Sequence, residues 1–195
     1  SVYFDHISVS TRDAAERCRV TELPVEHADL HYRGFSRMTR DELGFERFDY
    51  DVVSPTGSWD PPRGFYTRYG DVTPLLARPD DMYVIFGSGD ELALRFDARS
   101  LPELPVGWAR DFIFFADGWV KDGDLNTKFS ETVAPLPFHG MSGYPYGPTE
   151  HYPDTPALRE YQRCYSTRPA AATAGRLSVA ETPIEVRESS ASPTR

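Results

Sequence analysis

Residues 83–97 read YVIFGSGDELALRFD: four apolar residues, a Gly-Ser-Gly-Asp turn, then Leu92, Leu94 and Phe96 alternating with Glu91, Ala93, Arg95 and Asp97. A period of two sets one face of a strand against a core and the other in water. With glycines at the turn, the stretch predicts a β-hairpin. Residues 108–120, WARDFIFFADGWV, follow a different rule, because Phe112 and Phe114 fall on one parity and Ile113 and Phe115 on the other. Apolar positions on both parities predict a strand buried on both faces. Further strand-like runs are VYFDHISVS (2–10), ADLHYRGFS (28–36), FDYDVV (48–53) and TVAPLPF (132–138).

Helical patterning is scarce. Thr39 and Glu42 in TRDELG have capping-box spacing, but Gly44 stops that segment after about one turn. DTPALREYQRCY is better: Thr155 can cap, Pro156 sits at the first helical position, and Leu158, Tyr161 and Tyr165 share a face. The 17 prolines and 14 glycines cut the rest into short pieces, which argues against long helices. The expected fold is therefore all-β: a jelly-roll-like β-sandwich over residues 1–168, with a short C-terminal helix at about 154–165 docked on it. Residues 169–195 are small, polar and free of aromatics, the composition of an extended low-complexity tail. If that tail gains order on a partner, Leu177, Val179, Ile184 and Val186 are its anchors.

Hydrophobic residues at 39% and aromatics at 13% are enough for a core rich in Phe and Tyr. A net charge of −9 argues against nucleic acid and anionic membrane surfaces, which need basic residues. No apolar run approaches the roughly 18 residues of a membrane span. The chain starts at Ser1, as a processed mature chain or a piece of a longer one would. Cys18 and Cys164 could bridge, closing a loop of about 145 residues, or stand as two thiols. With no CxxC, neither a redox motif nor a thiolate zinc site is supported.

Candidate chemistry gathers between Phe114 and Gly147. Asp122, Asp124 and Asn126 have the alternating oxygen spacing of a calcium loop, and Asp117 could complete the set if the chain folds back. The full calcium-loop pattern fails, with Thr127 where a Gly belongs and Val133 where a bidentate Glu belongs. The same residues are also common in simple turns. His139 and Met141 resemble a soft metal pair without a third ligand nearby. GSGDE is not a nucleophile elbow, since its second glycine directly follows the serine. Trp59, Phe65, Tyr66, Tyr69, Tyr144, Tyr146 and Tyr152 lie in Pro/Gly-rich connections, suited to gripping proteins or sugars or, more simply, to covering loops.

YTRYGDVTPLL, GSGDELALRFDA, LPELPVGWARDFIFFADGWVKDGDLNT and TVAPLPFHGMSGYPY together resemble a C-terminal module of bacterial proteins of the CRTAC1-like, FG-GAP and ASPIC/UnbV type. The likeness runs over residues 33–168. Those relatives carry a β-propeller ahead of this region, which this sequence does not contain. The resemblance implies an exported, all-β interaction module and supplies no catalytic residues. Propeller calcium sites lie in the missing repeats and lend nothing to Asp122 or Asp124.

The expected function is a non-enzymatic accessory or structural subunit, periplasmic or extracellular. It would dock on protein subunits of a larger assembly, membrane complexes such as respiratory or photosynthetic ones included. It would use its aromatic loops and tail, and have no membrane span of its own. The alternative is a carbohydrate-binding module using loop aromatics, with calcium as an optional ligand.

Overall fold

The computed structural model describes residues 18–57, 61–121 and 128–170. The expected strand at 2–10, Trp59, the three loop residues Asp122, Asp124 and Asn126, and the tail anchors Leu177, Val179, Ile184 and Val186 lie outside the described residues. In chain order the strands are β1 (Val25–Tyr32), β2 (Phe35–Arg40), β3 (Glu46–Ser54), β4 (Phe65–Tyr66), β5 (Gly70–Asp71), β6 (Asp90–Phe96) and β7 (Arg168–Pro169). The helix α1 spans Pro156–Tyr165. Strands dominate, in three small sheets ordered β5-β1-β6, β2-β3 and β4-β7, all antiparallel.

The centre of the molecule is β1. Ala28 and Leu30 point inward and are fully buried. In its ladder with β6, Ala28 faces Leu94 and Leu30 faces Leu92. Cross-strand apolar pairs of this kind carry sheet stability. The chain returns past β1 on its other side, where the Val72 N–H donates to Ala28 O (2.9 Å) and the Ala28 N–H to Thr73 Oγ1 (2.9 Å). A single 3-10 turn, Thr73–Leu76, then buries Leu75 against the same cluster. Helix α1 closes it from above. Thr155 caps the helix by accepting from the Leu158 N–H (3.2 Å), Pro156 follows, and Leu158 and Tyr161 are buried. The helix thus forms where the sequence places it, with the capping chemistry expected.

The expected hairpin is only half right. Its turn exists, since the Asp90 N–H donates to Gly87 O (3.0 Å). Its second arm is β6, but that strand pairs with β1, not with residues 83–86. Those residues are committed elsewhere. Ile85 trades two hydrogen bonds with Thr67 (2.7 and 2.9 Å), and Tyr161 Oη donates to Tyr83 O (2.7 Å). The run at 28–36 is split between β1 and β2 at Arg33 and Gly34, with Gly34 at a φ of 102° that suits glycine alone. The run at 48–53 lies within β3.

Three further expectations are corrected. The Thr39/Glu42 segment is the turn of the β2–β3 hairpin, not a helical turn. Asp41 organises it by accepting from the Leu43 (3.0 Å) and Phe45 (2.9 Å) N–H groups. Residues 132–138 form no strand and make only an isolated bridge, Arg63 to Thr132; Pro135 and Pro137 have no N–H for a ladder. Residues 108–120 are neither a strand nor buried. No strand among the described residues pairs with them, and their apolar side chains face solvent. Cys18 and Cys164 are both free thiols.

Candidate docking face

The misplaced segment is the most unusual surface of the molecule. Phe112 is 70% exposed, Ile113 95%, Phe114 65% and Phe115 78%. Trp108, Trp119 and Val120 extend the strip in both directions. Near its start, the Arg19 guanidinium lies 5.4 Å over the Trp108 ring. In the middle, one edge contact ties it to the core sheet: the Phe114 and Phe96 rings meet at 6.4 Å and 78°. Farther along, Trp119 leans on Tyr144 at 6.4 Å. A run that reads as a two-faced buried strand is therefore held at its ends and left open between them.

Two polar clamps hold the far end. His139 lies between Asp81, 2.8 Å from Nδ1, and Asp117, 3.0 Å from Nε2, and its ring stacks on Tyr83 at 6.2 Å. The His139 backbone N–H also donates to Asp81 Oδ1 (2.8 Å). Hydrogen bonds to Asp117 and Asp81 raise the imidazole pKa above its ordinary value, favouring the ring that carries a proton on both nitrogens. Both ring nitrogens of His139 are thus engaged by carboxylates, and Asp117 is one of them. Among the described residues, no group of three or more His, Cys, Asp or Glu could hold a metal ion.

Lys121 is the second clamp. Its Nζ donates to Thr132 O (3.1 Å), Val133 O (2.7 Å) and Pro135 O (2.8 Å), with the Tyr144 ring 5.0 Å away. Burial draws its pKa down to about 8, while the carbonyls and the ring face pull the other way by favouring the ammonium. Sequence reasoning passed over Lys121, because nothing local marks a lysine whose acceptors lie more than ten residues downstream.

The loop aromatics named from sequence divide sharply. Tyr66 is buried, donates to Pro62 O (2.6 Å) and lies under Arg168. Tyr69 donates to Asp90 (2.7 Å), and burial with that bond pushes its pKa up to about 12. Both belong to a polar knot that sequence reasoning missed. Arg168, 4.1 Å from the Tyr69 ring, bonds Thr67 O (2.9 Å) and the nearly buried Asp90 carboxylate (2.7 Å). Tyr144 and Tyr146 donate to Pro135 O (2.9 Å) and Leu136 O (3.2 Å), and Tyr152 to Asp81 O. Tyr146 and Tyr152 also pack on Phe138, and Tyr144 packs on Tyr146. These three brace the loops. Phe65 alone of the described set stands clear, at 59% exposed.

Other apolar exposure lies on the β2–β3 ribbon, where Phe48 and Tyr50 stack at 6.4 Å on one open face. No helix among the described residues is long and apolar enough to cross a membrane. Comparison of the chain with family models, curated proteins and solved structures returns no match.

Proposed function

We propose that this protein is a non-enzymatic accessory or structural subunit that docks on a larger protein assembly through the strip 108–120. The observation that carries the reading is the exposed run Phe112–Phe115, whose side chains face solvent and whose backbone has no ladder partner among the described residues. Exposed apolar patches mark protein contacts. Tyr144, Tyr146 and Tyr152 spend their hydroxyls on backbone carbonyls, so their polar tips are not free for a sugar, which favours docking over the carbohydrate-module alternative.

Magnitudes say the strip does not act alone. Covering four large apolar side chains gains roughly 6–12 kcal/mol. Association costs about 4–15 kcal/mol in lost freedom. A second contact is needed, for which the Phe48–Tyr50 face and the tail anchors Leu177, Val179, Ile184 and Val186 are available. The finer architecture we infer is the jelly-roll-like sandwich, with further strand-patterned segments laid beside the small sheets. An exported location, periplasmic or extracellular, and the kinship with CRTAC1-like and ASPIC/UnbV modules rest on the resemblance of the motifs.

The test places a photo-crosslinking residue at position 113 and compares co-purifying protein with and without Phe112→Ser/Phe114→Ser. The expected result is one partner crosslinked at 113 and lost by roughly tenfold or more in the double variant, while the fold's stability moves by no more than about 1.5 kcal/mol, the worth of the Phe114–Phe96 ring pair. A chain that purifies alone, or a partner indifferent to the double variant, refutes the proposal.

A further inference from the structure

Residues 112–115 have a property that contact with one flat protein surface does not satisfy. Phe112, Ile113, Phe114 and Phe115 are consecutive, so their side chains leave the backbone in different directions whatever its local conformation. All four are nonetheless well exposed, and so are Trp119 and Val120 beyond them. A surface laid against one side leaves the other side in water. A medium that surrounds the segment covers every side, and the boundary layer of a lipid bilayer is such a medium.

Charge and backbone fix which lipid surface, and how deep. Trp108 and Trp119 bracket the apolar centre, and tryptophan favours the headgroup level of a membrane. Of the three charged side chains in the strip, two are tied to the body: Arg110 donates to Pro102 O (2.6 Å), and Asp117 is held by His139 (3.0 Å). The third is Asp111, a carboxylate that suits the quaternary ammonium of choline, which aromatic faces also attract. The net charge of −9 repels anionic lipid, and it repels a second copy of the chain as well. No strand among the described residues pairs with 109–120, so the backbone there still needs hydrogen-bonding partners. Headgroups and their water supply these; hydrocarbon does not.

We propose that residues 108–120 enter the headgroup layer of a zwitterionic phospholipid membrane, so that the assembly on which this chain docks is one that a membrane carries. This deepens the docking reading above and rests on it for the protein partner, though not for the lipid contact itself. The folded body steadies the strip through single ring contacts, Arg19 with Trp108, Phe96 with Phe114 and Tyr144 with Trp119. Those contacts hold the segment without covering it, which leaves Phe112, Ile113 and Phe115 to meet lipid.

Flotation of the isolated full-length chain with phosphatidylcholine vesicles tests this without any protein partner. The wild type should float with the vesicles, and Ile113→Asp/Phe115→Asp should weaken binding by about tenfold or more. Both positions are exposed, and unchanged hydrogen-exchange protection of β1 in the variant reports an intact fold. Replacing part of the lipid by phosphatidylserine should weaken binding by about fivefold. A chain that does not float overturns the proposal, as does binding indifferent to the double variant or binding that holds or grows with phosphatidylserine. Concentration-dependent self-association without lipid, abolished by the same variant, assigns the strip to a second copy and also overturns it. A protein crosslinked at 113 by a chain that does not float removes the lipid contact and leaves the docking reading standing. Flotation with no protein crosslinked at 113 does the reverse.

Discussion

Strand β6 and the strip at 108–120 are neighbours in sequence, both rich in large apolar residues, and they meet opposite fates. β6 alternates, so one face can bury Leu92 and Leu94 against Ala28 and Leu30 of β1 while Glu91 and Arg95 remain in water. The strip has no polar face to offer. A strand apolar on both sides needs a layer on each, and the described residues provide neither, offering single contacts of Arg19 with Trp108, Phe96 with Phe114 and Tyr144 with Trp119. The contrast teaches that a strong apolar signal marks a need for cover, not the source of that cover.

Changes in the packed region should be the most damaging. Leu30→Ala removes a fully buried side chain from the cluster of Val72, Leu75, Leu158 and Tyr161 and should cost about 2–5 kcal/mol in denaturant unfolding. A loss no larger than that of Ile113→Ala would erase the distinction between the two regions. Arg168→Ala comes next. It strips the nearly buried Asp90 carboxylate of its cation, leaving the Tyr69 hydroxyl and the Gly87 N–H, and should cost about 3 kcal/mol by the same measurement.

The smallest effect sharpens the comparison at the strip's tethered end. His139 has a raised pKa when folded, so its stabilisation is complete below the unfolded histidine value of about 6.5 and is lost as pH rises through the higher folded value. Hydrogen-exchange protection at 117–121, corrected for the intrinsic pH dependence of exchange, should fall across that rise while that of β1 is unaffected. Asp117→Asn should flatten the response, since it removes the first cause of the raised pKa. Equal pH sensitivity in wild type and Asp117→Asn would show that the clamp does not tether the segment.

Local chemistry was legible where neighbours in sequence do the work. Thr155 and Pro156 announce the start of α1, and the spacing of Leu158 and Tyr161 announces the face it buries. Alternation in 91–97 identified β6, and Phe48 to Val53 identified β3. The loop tyrosines were picked as gripping residues, yet the hydroxyls of Tyr144, Tyr146 and Tyr152 go to carbonyls of Pro135, Leu136 and Asp81 that no spacing rule links to them. The same holds for Lys121, for the Asp81–His139–Asp117 clamp and for Arg168 with Asp90, whose partners lie 78 residues apart.

From its order of residues alone the chain determined which segments favour strand, turn or helix, because φ/ψ preference, capping and side-chain period are properties of a few adjacent residues. Partnership was left to the tertiary structure. It gave β6 to β1 instead of to residues 83–86, turned the tyrosines inward and left Phe112–Phe115 facing water. Pairing depends on which groups are still free when distant segments meet, and that competition is settled only by the folded whole.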